Sequence, residues 1–372
     1  MPAEYIETEC YVQSDWQKAL KENAPDSKVF FELIEGEKKK NIELDVAKLQ
    51  EEYSGEEIEV QKIRNDLLNV KIPQWEGDFV VLAPRFEFEQ KVPQQFVDIS
   101  ESGNLGISPS SDGNVNVWNT DDNSTLRELK GHALDVEVAR FFPSGMVVLS
   151  GGMDMTLRIW DVKTGDCVRT MTGHTRRVTG LDFIEKGAEV VSIGADGFVH
   201  KWLCSSGKSL KSYSIPDCEL TSISWHEKDK TLLVASNKGH LKLLSTDLEE
   251  KMSIDYEHAI SAAVSDNELI FAGLYDGLIV QFELDTKKVR SIYRTNRGQV
   301  HRMVMIGEGL VVSFANGSVV FYRNDWDKLA VVCMATGADL QSVYDFKIAD
   351  GGDYLYTAGK DHYVRKYNVP DF

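Results

Sequence analysis

The chain has 372 residues, with 41 Lys and Arg against 59 Asp and Glu, which gives a net charge of −18. Hydrophobic residues make up 42% of it, enough to bury a sizeable core. The acidic balance argues against nucleic-acid binding and against anionic membrane surfaces, and it favours a partner with a basic surface.

The cysteines and the first residues indicate the compartment. Five cysteines form an odd set without C-x-x-C spacing, which is typical of a reduced intracellular protein. The chain starts without the basic and apolar regions of a secretory signal. Its apolar stretches are too short for a membrane span. We therefore expect a cytoplasmic protein, or one shared between cytoplasm and nucleus, and no membrane partner.

Residues 1–76 form the first predicted unit, with 18 acidic and 10 basic residues. Residues 14–17 match a capping box that begins a short helix, and residues 28–34 have the composition of a strand. Asp45 is a candidate cap for a helix that reaches Tyr53. We expect a small acidic α+β N-terminal domain; the alternative is a partly ordered acidic tail.

The remainder, 77–372, carries an internal repeat. Trp118, Trp160 and Trp202 are 42 residues apart. The same frame continues at spacings of 42, 38, 40 and 45 to four further large apolar or aromatic residues, which are Leu244, Phe282, Tyr322 and Tyr367. Six residues before each of the seven positions lies a turn, often Asp-Gly or Asn-Gly. Such pairs form hairpin turns, and alternating apolar residues after them indicate strands.

Seven units of about 42 residues predict an all-β protein, a seven-bladed WD40 β-propeller with four strands per blade. Two units have the residues of the WD40 hydrogen-bond chain, in which a histidine, a serine, a turn aspartate and a tryptophan satisfy one another inside the blade. The predicted chains are His132, Ser150, Asp154 and Trp160 in one unit and His174, Ser192, Asp196 and Trp202 in the next.

Ring closure requires a strand from outside the last unit, which ends only five residues after Tyr367. The candidates are residues 79–83 and the alternating stretch Phe86–Glu89, both within about 78–90. Either strand would complete the last blade and remove an exposed sheet edge.

Motifs for catalysis are missing from the sequence. It has no phosphate-binding glycine loop, no H-E-x-x-H zinc pattern and no G-x-S-x-G nucleophile elbow. We therefore expect no enzyme activity, no cofactor and no metal. A propeller without an active site is a rigid surface for binding other proteins.

Particular segments resemble a known family. Residues 12–20, 105–113 and 363–367 contribute to the resemblance, together with residues 140–154, which read Arg-Phe-Phe-Pro-Ser-Gly followed by Met-Val-Val-Leu-Ser-Gly-Gly-Met-Asp. Together they closely resemble the proteasomal ATPase-associated factor family, and the middle blades, about 205–335, match it only weakly. The resemblance implies a non-catalytic chaperone that binds the C-terminal domain of one AAA-ATPase subunit of the proteasome 19S base, assists base assembly and regulates association with the 20S core.

Blade geometry predicts where such a partner binds. Residues that follow the Gly-His position and residues in the turn before the third strand lie on one face of the ring. The candidate partner-binding residues on that face are Asp135, Glu137, Phe198, Glu219, Glu257, His258, Tyr275, Asp339, Asp345 and His362. Acidic residues among them would complement a basic ATPase surface. The chain alone is expected to be a monomer.

Two other functions remain open from the residues alone. Substrate receptors of cullin-type ubiquitin ligases are also WD40 proteins, and they often carry Trp-Asp-x-Arg at a blade end. Here Trp160 and Asp161 are followed by Lys163 in place of the arginine, and the two cations are not equivalent at a bidentate site. A generic scaffold for another complex is the second alternative.

Overall fold

The structure is a computed structural model. It describes residues 2–7, 9–22, 27–35, 38–49, 52–73, 75, 77–266, 268–324, 329–337 and 340–370.

Four antiparallel strands, numbered from the centre outward, make up each of the first six blades. Blades one to three consist of β10 (Asp98–Ile99), β11 (Leu105–Pro109), β12 (Val115–Asn119), β13 (Thr125–Leu129), β14 (Val136–Phe141), β15 (Val147–Gly152), β16 (Thr156–Asp161), β17 (Cys167–Thr172), β18 (Val178–Ile184), β19 (Glu189–Gly194), β20 (Phe198–Leu203) and β21 (Lys208–Ser214). Blades four to six consist of β22 (Leu220–His226), β23 (Thr231–Ser236), β24 (His240–Ser245), β25 (Glu250–Asp255), β26 (Ile260–Ser265), β27 (Leu269–Leu274), β28 (Leu278–Glu283), β29 (Val289–Arg294), β30 (Val300–Ile306), β31 (Gly309–Phe314), β32 (Val319–Asn324) and β33 (Leu329–Ala335).

The seventh blade combines two distant parts of the chain. Its inner strands are β34 (Val343–Ala349), β35 (Tyr354–Gly359) and β36 (Tyr363–Asn368), and its outer strand is β9 (Phe86–Glu89). Strand β9 pairs antiparallel with β36, with Phe88 opposite Val364. The other candidate for this position, 79–83, lies mostly in β8 (Asp78–Leu82), which pairs instead in parallel with β33 of the sixth blade.

The inner strands of adjacent blades contact one another around the whole ring, including β34 against β10. Aspartates on three of these strands accept hydrogen bonds from backbone amides of the next blade, at 2.7 Å between Phe141 N and Asp98, 2.8 Å between Trp225 N and Asp182, and 3.1 Å between Val97 N and Asp345. This arrangement confirms the predicted seven-bladed propeller.

The front segment is distributed over several sheets. Its elements are β1 (Ala3–Ile6), β2 (Glu9–Val12), α1 (Trp16–Glu22), β3 (Lys28–Glu35), β4 (Lys38–Asp45), β5 (Glu52–Ser54), β6 (Glu59–Arg64), β7 (Leu67–Lys71) and β8. Strand β1 pairs in parallel with β29 as a fifth strand of the fifth blade, and strands β5 to β8 extend the sixth blade to eight strands. Strands β2, β3 and β4 form a sheet of their own.

Short 3-10 helices complete the described elements, at Val46–Leu49, Ser111–Gly113 and Asp350–Gly352. The expected helix from Asp45 to Tyr53 is therefore wrong in its second half, because Tyr53 lies in β5 opposite Val60. A three-residue strand that completes a sheet edge has no periodic signature of its own, so tertiary pairing overrides the local pattern. None of the described helices is long and apolar enough to cross a membrane.

The core lies between neighbouring sheets. Trp118, Trp160 and Trp202 are at most 1% exposed, and each belongs to an apolar cluster shared by adjacent blades. Trp16 of α1 is fully buried in the cluster that joins the front segment to the fifth and sixth blades. Its indole nitrogen lies 3.3 Å from Thr336 Oγ1, so it also makes a polar contact with the ring.

Candidate partner-binding face

Two kinds of connection meet on one side of the ring: the loops between consecutive blades, and the turns between the second and third strands of each blade. Backbone hydrogen bonds join them, for example at 2.8 Å from Met153 N to Asp135 O, 2.9 Å from Ala195 N to Arg177 O and 3.0 Å from Asn237 N to Glu219 O. We call this surface, formed by the interblade loops and these turns, the loop face.

In the second blade, a chain of hydrogen bonds fixes the loop and the turn that this blade contributes to the loop face. Trp160 Nε1 donates to Ser150 Oγ at 2.8 Å, and Ser150 Oγ lies 2.7 Å from His132 Nε2. His132 Nδ1 lies 3.0 Å from Asp154, whose carboxylate also accepts from Ala133 N at 3.0 Å. Burial lowers the pKa of His132, so the ring is neutral near pH 7 and these bonds place its proton on Nδ1.

The third blade repeats this chain. Trp202 Nε1 donates to Ser192 Oγ at 2.9 Å, which lies 2.8 Å from His174 Nε2, and His174 Nδ1 lies 3.0 Å from Asp196. Burial raises the pKa of Asp196, but hydrogen bonds from His174 and from Thr175 N outweigh it and hold that pKa at about 2. Both histidines use both ring nitrogens inside the blade, so neither is free to act as a base on a ligand.

The first blade lacks the histidine, and its chain is incomplete. Among the described residues, Trp118 Nε1 and Ser108 Oγ are buried without a hydrogen-bond partner. The complete polar chain thus forms in the second and third blades and not in the first, and it ties the loops of those two blades on the loop face.

The predicted acidic contacts fall into two groups. Asp135 is exposed, and Glu257 is 81% exposed with its carboxylate 3.6 Å from His258 Nε2. Glu137 and Glu219 are partly buried and share Arg177, whose guanidinium lies 3.5 Å from Glu137 and 3.2 Å from Glu219. Burial raises the pKa of Glu137, and Arg177 opposes that shift.

The aromatic and polar candidates are spread over the face. Tyr275 is 45% exposed. Its pKa is raised because the side chain is partly buried and because the negative charge of Glu219 lies nearby. Phe198 is partly buried and stacks on His200, with ring centroids 5.7 Å apart. His258 is exposed beside Glu257, and His362 is partly buried in the turn of the seventh blade. The structure thus brings Glu137, Glu219 and Tyr275 together around Arg177, and it places Glu257 beside His258.

Asp345 was expected among the partner-binding residues, and the structure shows that this expectation is wrong. It is only 3% exposed, and it accepts hydrogen bonds from Val97 N and Arg140 and lies 2.9 Å from Arg302. Its carboxylate ties the seventh blade to the first, so it is not available to a partner. Asp339 lies outside the described residues.

A cavity of about 450 Å³ opens along the ring axis between the inner strands. Most inner strands have a bulge near their first residues, and the side chains at these bulges include Glu137, Thr179, Thr221 and His301. Burial lowers the pKa of His301 to about 4, so its ring is neutral at physiological pH. The cavity wall is polar and carries charges of both signs, since Arg140 and Arg302 both contact Asp345.

Sequence reasoning missed two kinds of residue on this face. Arg176 and Arg177 are both substantially exposed and neutralise Glu219, so the face is less uniformly acidic than the composition suggests. Leu134, Met153 and Met155 are exposed apolar residues near Asp135. The sequence did carry a sign of the exposed apolar residues, because the turn of the second unit has Met155 where five of the seven turns have glycine.

Fold and hydrogen-bond chains together define a WD40-repeat β-propeller protein. Residues 123–161 and 165–202 match the profile described as "WD domain, G-beta repeat". Over 350 aligned residues the chain is 37% identical to human "Proteasomal ATPase-associated factor 1", in an alignment that covers 87% of this chain and 88% of the human protein. The chain belongs to the proteasomal ATPase-associated factor 1 family.

Shorter matches support the same assignment. A protein of Dictyostelium discoideum, "Probable proteasomal ATPase-associated factor 1", is 27% identical over 147 residues, or 37% of this chain and 34% of its own length. The chicken "Proteasomal ATPase-associated factor 1" is 46% identical over 50 residues, or 13% of each chain.

Proposed function

We propose that the chain is a non-catalytic chaperone that binds the C-terminal domain of one AAA-ATPase subunit of the proteasome 19S base. In this role it assists assembly of the base and regulates its association with the 20S core. The observation that carries the proposal is the 37% identity over 87% of the chain to a relative whose name describes a proteasomal ATPase-associated factor.

Charge on the loop face supports a basic partner. No cation pairs with the carboxylate of Asp135 among the described residues, and Glu257 pairs only with His258 there. Unpaired exposed carboxylates accelerate the encounter with a positive surface, and they form ion pairs without first breaking internal ones. Glu137 and Glu219 contribute less, because Arg177 already neutralises part of their charge.

The rigid blades support a binding role. The histidine–aspartate pairs of the second and third blades are each linked through a serine to a buried tryptophan, so they hold the loops in place. Loops fixed in this way bind a partner with a smaller loss of conformational entropy.

The test begins with affinity purification of the tagged full-length chain and identification of the ATPase subunit that copurifies. The C-terminal domain of that subunit is then titrated against the double variant Asp135→Lys/Glu257→Lys, which should bind at least about tenfold more weakly because two ion pairs become repulsive. Asp166→Lys/Asp285→Lys is the matched control, since these exposed residues lie in the turns between third and outer strands of the second and fifth blades and change the net charge equally.

Equal weakening in both double variants would mean that only net charge matters, and it would remove the loop face from the proposal. Copurification of a ubiquitin-ligase adaptor without any 19S ATPase subunit would refute the proposed function and favour the ligase-receptor alternative.

A further inference from the structure

The turn between the second and third strands has the same left-handed backbone in all seven blades. Its φ angles range from 65° to 89°, at Gly113, Met155, Gly197, Gly239, Gly277, Gly317 and His362. This conformation suits glycine, because a Cβ atom collides with the neighbouring carbonyl oxygen. At Met155 the fold therefore accepts a backbone strain that five other blades avoid.

In some of these turns there is also no space for a side chain, so only glycine fits. A Cβ added at Gly197 would lie 2.4 Å from Ile215 O, and one added at Gly239 would lie 1.9 Å from Tyr256 O. The turn of the second blade has room for a long side chain instead, and 42% of Met155 is exposed to solvent. The backbone strain opposes folding and the exposed part of the side chain contributes no burial to offset it, so packing within the chain gives little reason for a methionine here.

The surroundings of Met155 hold the strained turn in place. Asp154 accepts hydrogen bonds from Thr156 N at 3.1 Å and from Thr156 Oγ1 at 2.8 Å, in addition to its contacts with His132 and Ala133 N. The hydrogen-bond chain of the second blade thus fixes the residue directly before Met155. Strained backbone that its surroundings hold firmly in this way is concentrated at functional sites.

Two further apolar side chains are exposed beside this turn. Leu134 is 55% exposed and Met153 is 42% exposed. The backbone bond from Met153 N to Asp135 O and the bond from Ala133 N to Asp154 join the loop that carries Leu134 to the turn that carries both methionines. We call these three residues, Leu134, Met153 and Met155, the methionine patch.

We propose that the methionine patch is the apolar centre of the docking surface on the loop face, and that it receives an apolar side chain of the ATPase partner whose neighbouring lysine or arginine pairs with Asp135. This inference rests on the proposed function. Methionine suits such a role because its flexible, polarisable side chain adapts to the shape of a bound group. Apolar contacts at the centre of a polar surface provide most of the binding energy of many interfaces.

The negative charge beside the patch and on the whole chain favours the ATPase partner as the occupant over a second copy of this chain. The carboxylate of Asp135 beside the patch has no cationic partner among the described residues, so it favours a positive group on the occupant. Two copies would each carry a net charge of −18 and would repel one another as they approached.

The test compares methionines on opposite sides of one blade. Met155→Ala removes the side chain from the patch, and Met146→Ala removes an exposed methionine from the turn between the first and second strands, away from the loop face. For the full-length chain and the copurified ATPase subunit, Met155→Ala is expected to raise Kd at least about tenfold, as central interface residues do, and Met146→Ala is expected to leave it unchanged.

Met155→Gly separates binding from folding. Glycine relieves the left-handed strain, which offsets the extra entropy of its unfolded chain, so the variant should keep or raise the melting temperature while it weakens binding as Met155→Ala does. Wild-type affinity in both Met155 variants, or equal weakening by Met146→Ala, would overturn the inference and leave the proposed function intact.

Two further outcomes concern the occupant. Failure of the unmodified chain to bind any 19S ATPase subunit would refute the proposed function itself. A doubled mass in light scattering that Met155→Ala reduces to that of one chain would overturn the inference by assigning the patch to a second copy.

Discussion

Ser150 shows how much depends on one hydroxyl group. It accepts a hydrogen bond from Trp160 and lies within hydrogen-bond distance of His132, so a single oxygen serves two buried rings. Ser108 occupies the corresponding second-strand position of the first blade, where its hydroxyl is buried without a partner among the described residues. A serine hydroxyl at the same position thus has hydrogen-bond partners in one blade and none among the described residues in another.

Ser150→Ala should lower the free energy of unfolding by about 2 kcal/mol, because it leaves the Trp160 indole and the His132 ring without a partner in the core. Ser108→Ala is the matched control and should be neutral or stabilising, since it removes a hydroxyl that has no hydrogen bond to lose. Urea unfolding monitored by circular dichroism measures both. A loss in the Ser108 variant as large as that in the Ser150 variant would contradict this account.

Asp345 shows the limit of residue-level prediction. Its position just after the start of an inner strand placed it among the partner contacts, yet its carboxylate faces Arg140 and Arg302 from two other blades. These two arginines lie 205 and 43 residues away in the chain, so no local pattern could reveal the pairing.

At the scale of the element, strand β9 closes the ring. Phe88 is 7% exposed and packs edge-on against Trp118 of the first blade, with ring centroids 5.7 Å apart. Phe86 lies two residues earlier, on the same face of the strand, and is 43% exposed. The strand therefore joins the last blade to the first chiefly through one of its two phenylalanines.

Phe88→Ala should destabilise the protein by about 3 kcal/mol, the cost typical of a large buried aromatic side chain. Phe86→Ala should cost less, about 1 kcal/mol, because Phe86 buries a much smaller part of its side chain than Phe88 does. Thermal and chemical unfolding of both variants measure the difference. Similar losses in the two variants would contradict the assignment of this anchoring role to Phe88.

The front segment shows the same dependence on partners far along the chain. Glu7 accepts a hydrogen bond from Arg297 at 2.9 Å and another from the Tyr322 hydroxyl at 2.9 Å, while β1 adds to the fifth blade. The segment thus covers the edges of the fifth and sixth blades, which lowers their tendency to pair with other chains.

For the whole molecule, net charge and the stiff ring act together. A charge of −18 produces a field that attracts a basic partner over distances of about a Debye length, and salt screens that field. The methionine patch acts only at contact, so salt should hardly affect its contribution.

Surface plasmon resonance with the copurified ATPase subunit should therefore show an association rate that falls about tenfold or more between roughly 50 and 500 mM salt. Met155→Ala should chiefly raise the dissociation rate, because the complex stays together for a shorter time once an apolar side chain at the centre of its interface is removed. An association rate independent of salt would contradict the electrostatic part of the proposal.

The amino-acid order alone was sufficient to predict the ring of seven blades, the two hydrogen-bond chains and the loop face. Turn pairs, alternating strands and the tryptophan frame are local features that recur about every 42 residues, and each unit must pack against its neighbours to bury its apolar faces.

Other features became clear only in the folded molecule: which of two candidate strands closes the ring, where the front strands add to the blades, that Asp345 is buried and that Arg177 neutralises Glu137 and Glu219. The physical reason is that pairing and burial depend on groups from distant parts of the chain. A repeat specifies how each blade forms, but the surroundings of a side chain at the rim are set by whichever residues the closed ring places beside it.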